Sequence, residues 1–231
     1  MFTRLSLPVL LLTVSLSVGV YGADSRLSAE ERTAGWTPLF DGKNLSRWRN
    51  YQSQTLNPNW IVEDGAMLLS GKGGGDLITR ESFGDFELQL EWKISEGGNS
   101  GIFFLADETG TAIYAHAPEV QILDNERHSD NQIDSHLSGS LYDMIASPQS
   151  SHKPAGEWNH TTIRLQNNHL QIWQNGVVTA SIVIGSSTWK VLVANSKFAD
   201  WKGFAKNKRG HIGLQDHGDP VWFRNIKIRE L

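Results

Sequence analysis

The chain has 231 residues, with 21 Lys and Arg against 25 Asp and Glu, a formal net charge of −4, and no Cys. The missing thiols exclude disulfides, thiolate metal sites and anchoring through a lipidated N-terminal Cys, and the mild acidity speaks against a nucleic-acid or anionic-membrane partner. Nine Trp are many for this length, but Trp both covers sugar rings and fills sandwich cores, so the count alone decides nothing.

In chain order, Met1 to Arg4 give a short positive start and residues 5–20 are mostly apolar. Val20-Tyr21-Gly22 then offers a cleavage site. Residues 1–22 read as a secretory signal, which implies export to the periplasm or the medium and no membrane insertion once the signal is removed. The polar residues 23–34 read as a flexible tether, and 35–231 as a single domain.

Trp60 to Leu69 holds two strand-like runs around Asp64-Gly65, a hairpin signal. Gly71-Lys72-Gly73-Gly74-Gly75 looks like a phosphate loop only superficially, since no Gly-Lys-Ser/Thr follows, and reads as a flexible loop. From Asp85 to Ile94 the alternation is strict: Phe86, Leu88, Leu90, Trp92 and Ile94 face one way, Glu87, Gln89, Glu91 and Lys93 the other. Two more hairpins are expected around Asn167-Asn168 and Asn175-Gly176. In the last strand, Val221 to Arg229, apolar parity switches between Phe223 and Ile226, which predicts a bulge near Asn225. Past the signal no amphipathic helix of three turns is evident. Many short strands between Gly, Asn and Asp turns predict an all-β sandwich of two antiparallel sheets, a jelly roll.

Pro118 to Asn125 (Pro-Glu-Val-Gln-Ile-Leu-Asp-Asn) is the stretch with chemical content. It reads as an inner strand with Glu119 and Gln121 on one face. Asp124 lies five residues after Glu119, a spacing that a regular strand sends to the opposite face. A bulge after Gln121 returns it to the Glu119 side, giving two carboxylates and an amide together. The competing reading is a strand with a solvated polar face.

Five blocks recur together in this order: Gly35 to Leu45, Trp60 to Gly65, Gly98 to Phe103, Glu119 to Asp124 and His211 to Gly218. Together they closely resemble the bacterial family of 3-keto-disaccharide hydrolases, over essentially all of 35–231. The resemblance implies a concanavalin-like β-sandwich. It also implies an exported enzyme acting on glycosides or disaccharides already oxidised to the ketone at C3, and hence coupling to a sugar 3-oxidoreductase. Laminarinase-like glycosidases of the same architecture carry Glu-x-Asp-x-x-Glu on a bulged strand. Here the pattern is Glu119-x-Gln121-x-x-Asp124, which departs from a two-carboxylate retaining site.

A 3-keto sugar calls for a base at C2, an acid at the glycosidic oxygen and a stabiliser of the enolate. On this expectation Glu119 or Asp124 is the base and His217 the acid or second base. Gln121, Asn99 and Lys197 hold hydroxyls or the enolate, Tyr142 and Asp143 line the same face, and Trp201 stacks on a ring. Plain alternatives stand beside these roles. His217 also reads as a turn residue with Asp216 or Asp219 capping backbone, Asn99 as a positive-φ turn position, and Lys197 and Trp201 as surface loop. His116, His128, His136 and His152 show no metal-ligand spacing and read as surface histidines, with His160 and His169 on an outer face. No cofactor is called for and no metal motif is present, although carboxylates and carbonyls of the kind calcium prefers are available. The rival functions are a lectin-like glycan-binding module and a laminarinase-like β-glucanase on unoxidised glycans.

Overall fold

The computed structural model describes residues 27–231, so the expected signal sequence lies outside the described residues. In chain order the elements are helix α1 (Ala29–Thr33), strands β1 (Thr37–Pro38), β2 (Trp48–Asn50), β3 (Trp60–Glu63), β4 (Ala66–Leu69), β5 (Leu77–Thr79), β6 (Phe86–Ile94), β7 (Asn99–Ala106), β8 (Glu119–Leu123), β9 (Asn159–Gln166), β10 (His169–Gln174) and β11 (Val177–Val183), then helix α2 (Ser187–Ala194) and strands β12 (His211–Leu214) and β13 (Val221–Glu230). The strands form two antiparallel sheets. One runs β11-β10-β9-β6-β13-β4-β3, with β1 also paired to β13, and the other runs β2-β5-β12-β7-β8. This is the expected all-β sandwich.

The alternation read from Phe86 to Ile94 appears as strict alternation of buried and half-buried residues along β6. Its inward side chains meet Ile102, Phe104, Val120, Ile122, Ile212 and Leu214 from the smaller sheet in one apolar core. Removing apolar surface of this kind from water is the main favourable term in folding. Trp48, Trp60, Trp92 and Trp189 are buried there, so much of the Trp content is core. The buried indoles find acceptors: Trp48 Nε1 donates to the Leu39 carbonyl, and Trp92 Nε1 to Thr161 Oγ1.

The three hairpins form where expected, with Asp64, Asn167, Asn168 and Asn175 all at positive φ, a conformation that Asn and Asp tolerate. The pairing of β13 with β6 shifts between Arg224 and Lys227, with Asn225 at φ 52°, which is the expected bulge. Beyond it the free side of β13 changes partner, from β4 to β1.

Three local readings are corrected. Within the segment read as a tether, Ser28 and Glu31 form a reciprocal capping box at the start of α1, and Glu31 pairs with Lys227. The Gly-rich loop is pinned: the Gly73, Gly74 and Gly75 carbonyls accept from Asn57, Asn50 and Trp60. The strand carrying Glu119 is at the edge of its sheet rather than inside it. Residues 139–142 cover that edge, the Gly139 and Tyr142 N–H groups donating to the Gln121 and Glu119 carbonyls. A covering loop is one way an edge strand is kept from pairing elsewhere.

Candidate active site

The register of β7 against β8 sets the site. Phe103 pairs with Glu119 and Gly101 with Gln121, in unbroken antiparallel order to Asn99 and Leu123. Residues on alternate positions share a face, so Asn99, Gly101, Glu119 and Gln121 all point away from the core. Further along that face, under the turn at Ile113–Ala115, Ile78, Phe103, Ile113 and Ala117 form a small apolar cluster. The polar end opens into a cavity of about 150 Å³.

Asn99 of β7, Glu119 and Gln121 of β8 and Gln215 just past β12 line this cavity, together with Tyr114, Asp130, Tyr142, Lys197 and His217 from the surrounding loops. The amide oxygens of Asn99, Gln121 and Gln215 are buried with no hydrogen-bond partner. Unpaired buried acceptors are costly unless something donates to them. Three around one cavity make a site that sugar hydroxyls would satisfy.

Glu119 is only 6% exposed. Burial pushes its carboxyl up to about 8; nearby Lys197 pulls it down, and Asp76 and Asp130 push it up further. At neutral pH most of the population is therefore protonated, and the ionised fraction is an unusually strong carboxylate base. Lys197 answers in kind. The residue as a whole is exposed, but desolvation of its ammonium at the cavity lowers the pKa, against the pull of Glu119, Asp143 and Asp130, and the ammonium lies 4.0 Å from the centre of the Tyr142 ring.

From the cavity wall a polar chain runs back through buried His136. The Tyr142 hydroxyl donates to Asp130 Oδ2 at 3.2 Å. His136 bridges Asp130 Oδ1 at 2.8 Å and Asp143 Oδ1 at 2.9 Å, with its ring 4.4 Å from that of Tyr142. Asp143 Oδ2 accepts the Lys197 N–H at 2.7 Å. His136 is thus no surface histidine but the tie between the two walls.

Of the residues singled out from the sequence, the fold brings Asn99, Glu119, Gln121, Tyr142, Lys197 and His217 together around the cavity. Asp143 stands behind it, and Trp201 packs against Tyr114 beside it. Asp124 does not join them. The register through β8 has no bulge, so Asp124 keeps the parity that points away from Glu119. Its carboxylate instead accepts the N–H groups of Gly97 at 2.7 Å and Glu126 at 3.0 Å. Asn99 lies in a strand and not at a positive-φ turn. The turn reading of the acids around His217 holds beside its place at the cavity: Asp216 accepts from Gly75 and Gly218, and Asp219 from Asn99.

Three lining residues escaped the sequence reading. Gln215 carried a usable signal, two positions from both Gly213 and His217, whereas Tyr114 and Asp130 carried none. His128, also read as a surface residue, is half-buried and reaches the rim, where ligand-capable atoms of His128, His217 and Asp219 lie within 4.8 Å of one another. His128 Nδ1 accepts the Asp130 N–H at 3.0 Å, so in the neutral ring Nε2 keeps its proton and presents a donor. The two imidazoles of this set are unlike the all-oxygen shell of calcium. A roomier groove of about 460 Å³ beside Trp36 lacks comparable convergence; the Asp41 carboxylate on it is spent on the N–H groups of Lys43 and Asn44.

Residues 35–229 match the model of a family described as the 3-keto-alpha-glucoside-1,2-lyase-like domain. A 3-keto-disaccharide hydrolase of Bacteroides thetaiotaomicron is 38% identical over 228 aligned residues, 85% of this chain and 79% of the relative. A crystal structure from Parabacteroides distasonis, of a protein described as a glycosyl hydrolase, superimposes with a TM-score of 0.84 at 29% identity, covering 90% of this chain and 99% of its own. A Bacillus subtilis protein of galectin-like fold, 13% identical with a TM-score of 0.57 over 84% of this chain and 94% of its own, shares the fold alone.

Proposed function

The chain belongs to the 3-keto-alpha-glucoside-1,2-lyase-like family, with a function of the glycoside-hydrolase kind, and on that premise we propose that it cleaves the glycosidic bond of 3-keto-glycosides, with Glu119 moving the C2 proton. The observation that carries this reading is Glu119 itself. It is a buried carboxyl raised to about 8 beside Lys197, at a cavity whose amide oxygens await hydroxyl donors.

A ketone at C3 acidifies the proton on C2. The Glu119 carboxylate takes that proton, and the C2–H bonding pair moves into the enolate at O3. The enolate pair then returns to form the C1–C2 double bond as the C1–O bond breaks, and the leaving oxygen takes a proton. Water adds its oxygen to C1 and a proton returns to C2, so the sum is hydrolysis. In this reading Lys197 stabilises the enolate, and His217, at the rim, protonates the leaving oxygen. A positioned acid or base of this kind contributes typically 10²–10⁴-fold, and a preorganised charge at the developing oxyanion adds to it.

The place of Asp124 counts against an ordinary two-carboxylate glucanase, because the spacing that would have paired it with Glu119 serves a turn instead. The reading also places a sugar 3-oxidoreductase upstream, since the substrate must first be oxidised. With the signal expected at 1–22, this cleavage takes place outside the cytoplasm.

Product analysis on cellobiose and its 3-keto form tests the proposal. Release of 3-keto-glucose or its enone from the oxidised sugar alone, with solvent deuterium entering at C2, is the expected result. Cleavage of the unoxidised sugar would point to a glucanase, and binding without cleavage of either to a lectin.

A further inference from the structure

The cavity, at about 150 Å³, is small beside the ~300–1,000 Å³ that encloses a drug-sized ligand, and it takes one sugar ring rather than two. The second ring of a disaccharide must then lie outside it. Tyr114 both lines the cavity and is 45% exposed, so one side chain spans the boundary.

We infer that Tyr114, backed by Trp201, is the platform for the leaving-group ring of a disaccharide; the inference rests on the function proposed above. An exposed aromatic ring alone would mean little, since single exposed apolar side chains are normal. Here the ring caps a column of aromatics that runs into the core. Trp201 lies 5.9 Å from Tyr114 and 5.1 Å from Phe198. Phe198 stacks on Phe204 at 4.0 Å, and Phe204 on buried Trp189.

The two loops that carry the pair are fastened to each other. The Ala205 N–H donates to the His116 carbonyl at 2.8 Å. Gly203 lies so close to the His116 ring that a Cβ there would fall 2.1 Å from Nε2. Asp107 joins both loops, bonded to His116 Nδ1 at 2.8 Å and to Asn207 Nδ2 at 2.7 Å. A platform held in this way is ordered before a ligand arrives, and binding spends less on ordering it. The apolar C–H face of a pyranose leaving group matches such a ring. A methyl leaving group is too small to cover it.

The test compares kcat/KM for 3-keto-cellobiose and methyl 3-keto-glucoside in wild type, Tyr114→Ala and Tyr114→Phe. The disaccharide-to-methyl ratio should fall about tenfold in Tyr114→Ala, ~1.4 kcal/mol, and stay near wild type in Tyr114→Phe, which keeps the ring. A ratio within twofold of wild type in Tyr114→Ala would overturn the platform. Turnover of neither substrate by wild type would sink the proposed function instead. The platform is then read from binding of cellobiose against glucose by calorimetry. A cellobiose preference that Tyr114→Ala abolishes upholds it, and no preference in wild type, or one the variant keeps, removes it.

Discussion

Gly101 lies directly under the Glu119 carboxyl: a Cβ built at position 101 would fall 2.1 Å from Glu119 Oε1 and 2.8 Å from its Cδ. The backbone at 101 is ordinary strand, without positive φ, so what the position requires is the missing side chain and not glycine's conformational freedom. Glycines in strands often mark such a close approach.

Gly101→Ala should therefore act on chemistry more than on folding. The carboxyl must swing off its seat, and misplacement of about 1 Å can cost ~10²-fold in rate. The expected result is a drop of that order in kcat, with an unchanged far-UV circular dichroism spectrum and a melting temperature only a few degrees lower. A variant as active as wild type would show that the position of Glu119 does not matter to turnover.

Glu119→Gln separates the chemical and the thermodynamic roles of the carboxyl. Turnover should fall by roughly 10²–10⁴-fold, while sugar binding persists through the amides. Stability should move the other way. The folded-state pKa is raised from 4.5 to about 8, so the folded protein holds a proton that the unfolded chain has released across that window. The Glu119 contribution to stability is thus complete below pH 4.5 and is lost as pH rises through 8, by on the order of a few kcal/mol. Asp76, raised to about 6 mainly by burial, adds a smaller slope of the same sign. Glu119→Gln lacks the Glu119 share, so it should melt higher than wild type at pH 8.5 and similarly near pH 4.5. Parallel melting curves across that range would contradict the raised pKa.

What the sequence revealed here depended on whether the signal was local. Alternation in β6 and the Asn and Asp turns are properties of a few neighbouring residues, and they read correctly. The bulge at Asn225 was legible because apolar residues resume on both sides of it. The bulge expected after Gln121 failed for lack of that check. The strand ends at Leu123, and a parity break at a strand end looks the same whether the chain bulges or simply turns. The bridge from Asp130 through His136 to Asp143 was hidden for another reason, since these residues sit in two short 3₁₀ turns and a further turn, where no strand or helix period orders them. Lys197 is 78 residues from Glu119 in the chain, and only the closure of the fold brings the two charges together.

Asp124→Ala tests the corrected role directly. Burial pushes this carboxyl up, but the Gly97 and Glu126 N–H groups and Arg127 outweigh it and hold its pKa below the ordinary value. A lowered folded-state pKa means that the contribution is present above the unfolded value of 3.8 and lost as pH falls through the folded one. The variant should lose ~1–3 kcal/mol at neutral pH, as expected when buried donors lose their acceptor, with kcat/KM within a few-fold of wild type. The gap in stability should close as wild type is taken below pH 3.8. A loss of turnover as deep as that of Glu119→Gln, at full stability, would return Asp124 to the chemistry.

Lys197→Met should shift the pH dependence of the reaction as well as slow it. The ammonium favours the ionised form of Glu119 and so lowers a pKa that burial raises; without it the carboxyl titrates above about 8. Because abstraction at C2 needs the carboxylate, kcat/KM in wild type should climb through pH 8 before levelling. In the variant the same limb should lie further to the alkaline side. The plateau should also fall, since the enolate oxygen loses its cation, and removing one such preorganised donor typically costs ~10²–10³-fold in kcat. Lys197→Arg, which keeps the charge but not its shape, should hold the limb near its wild-type position and recover only part of the rate. The measurement is kcat/KM on a 3-keto-glucoside between pH 6 and 10 for all three proteins. A lower plateau with an unmoved limb in Lys197→Met would mean that the lysine serves the substrate without touching Glu119. An unmoved plateau with a shifted limb would mean that the lysine tunes the base and leaves the enolate to the amides.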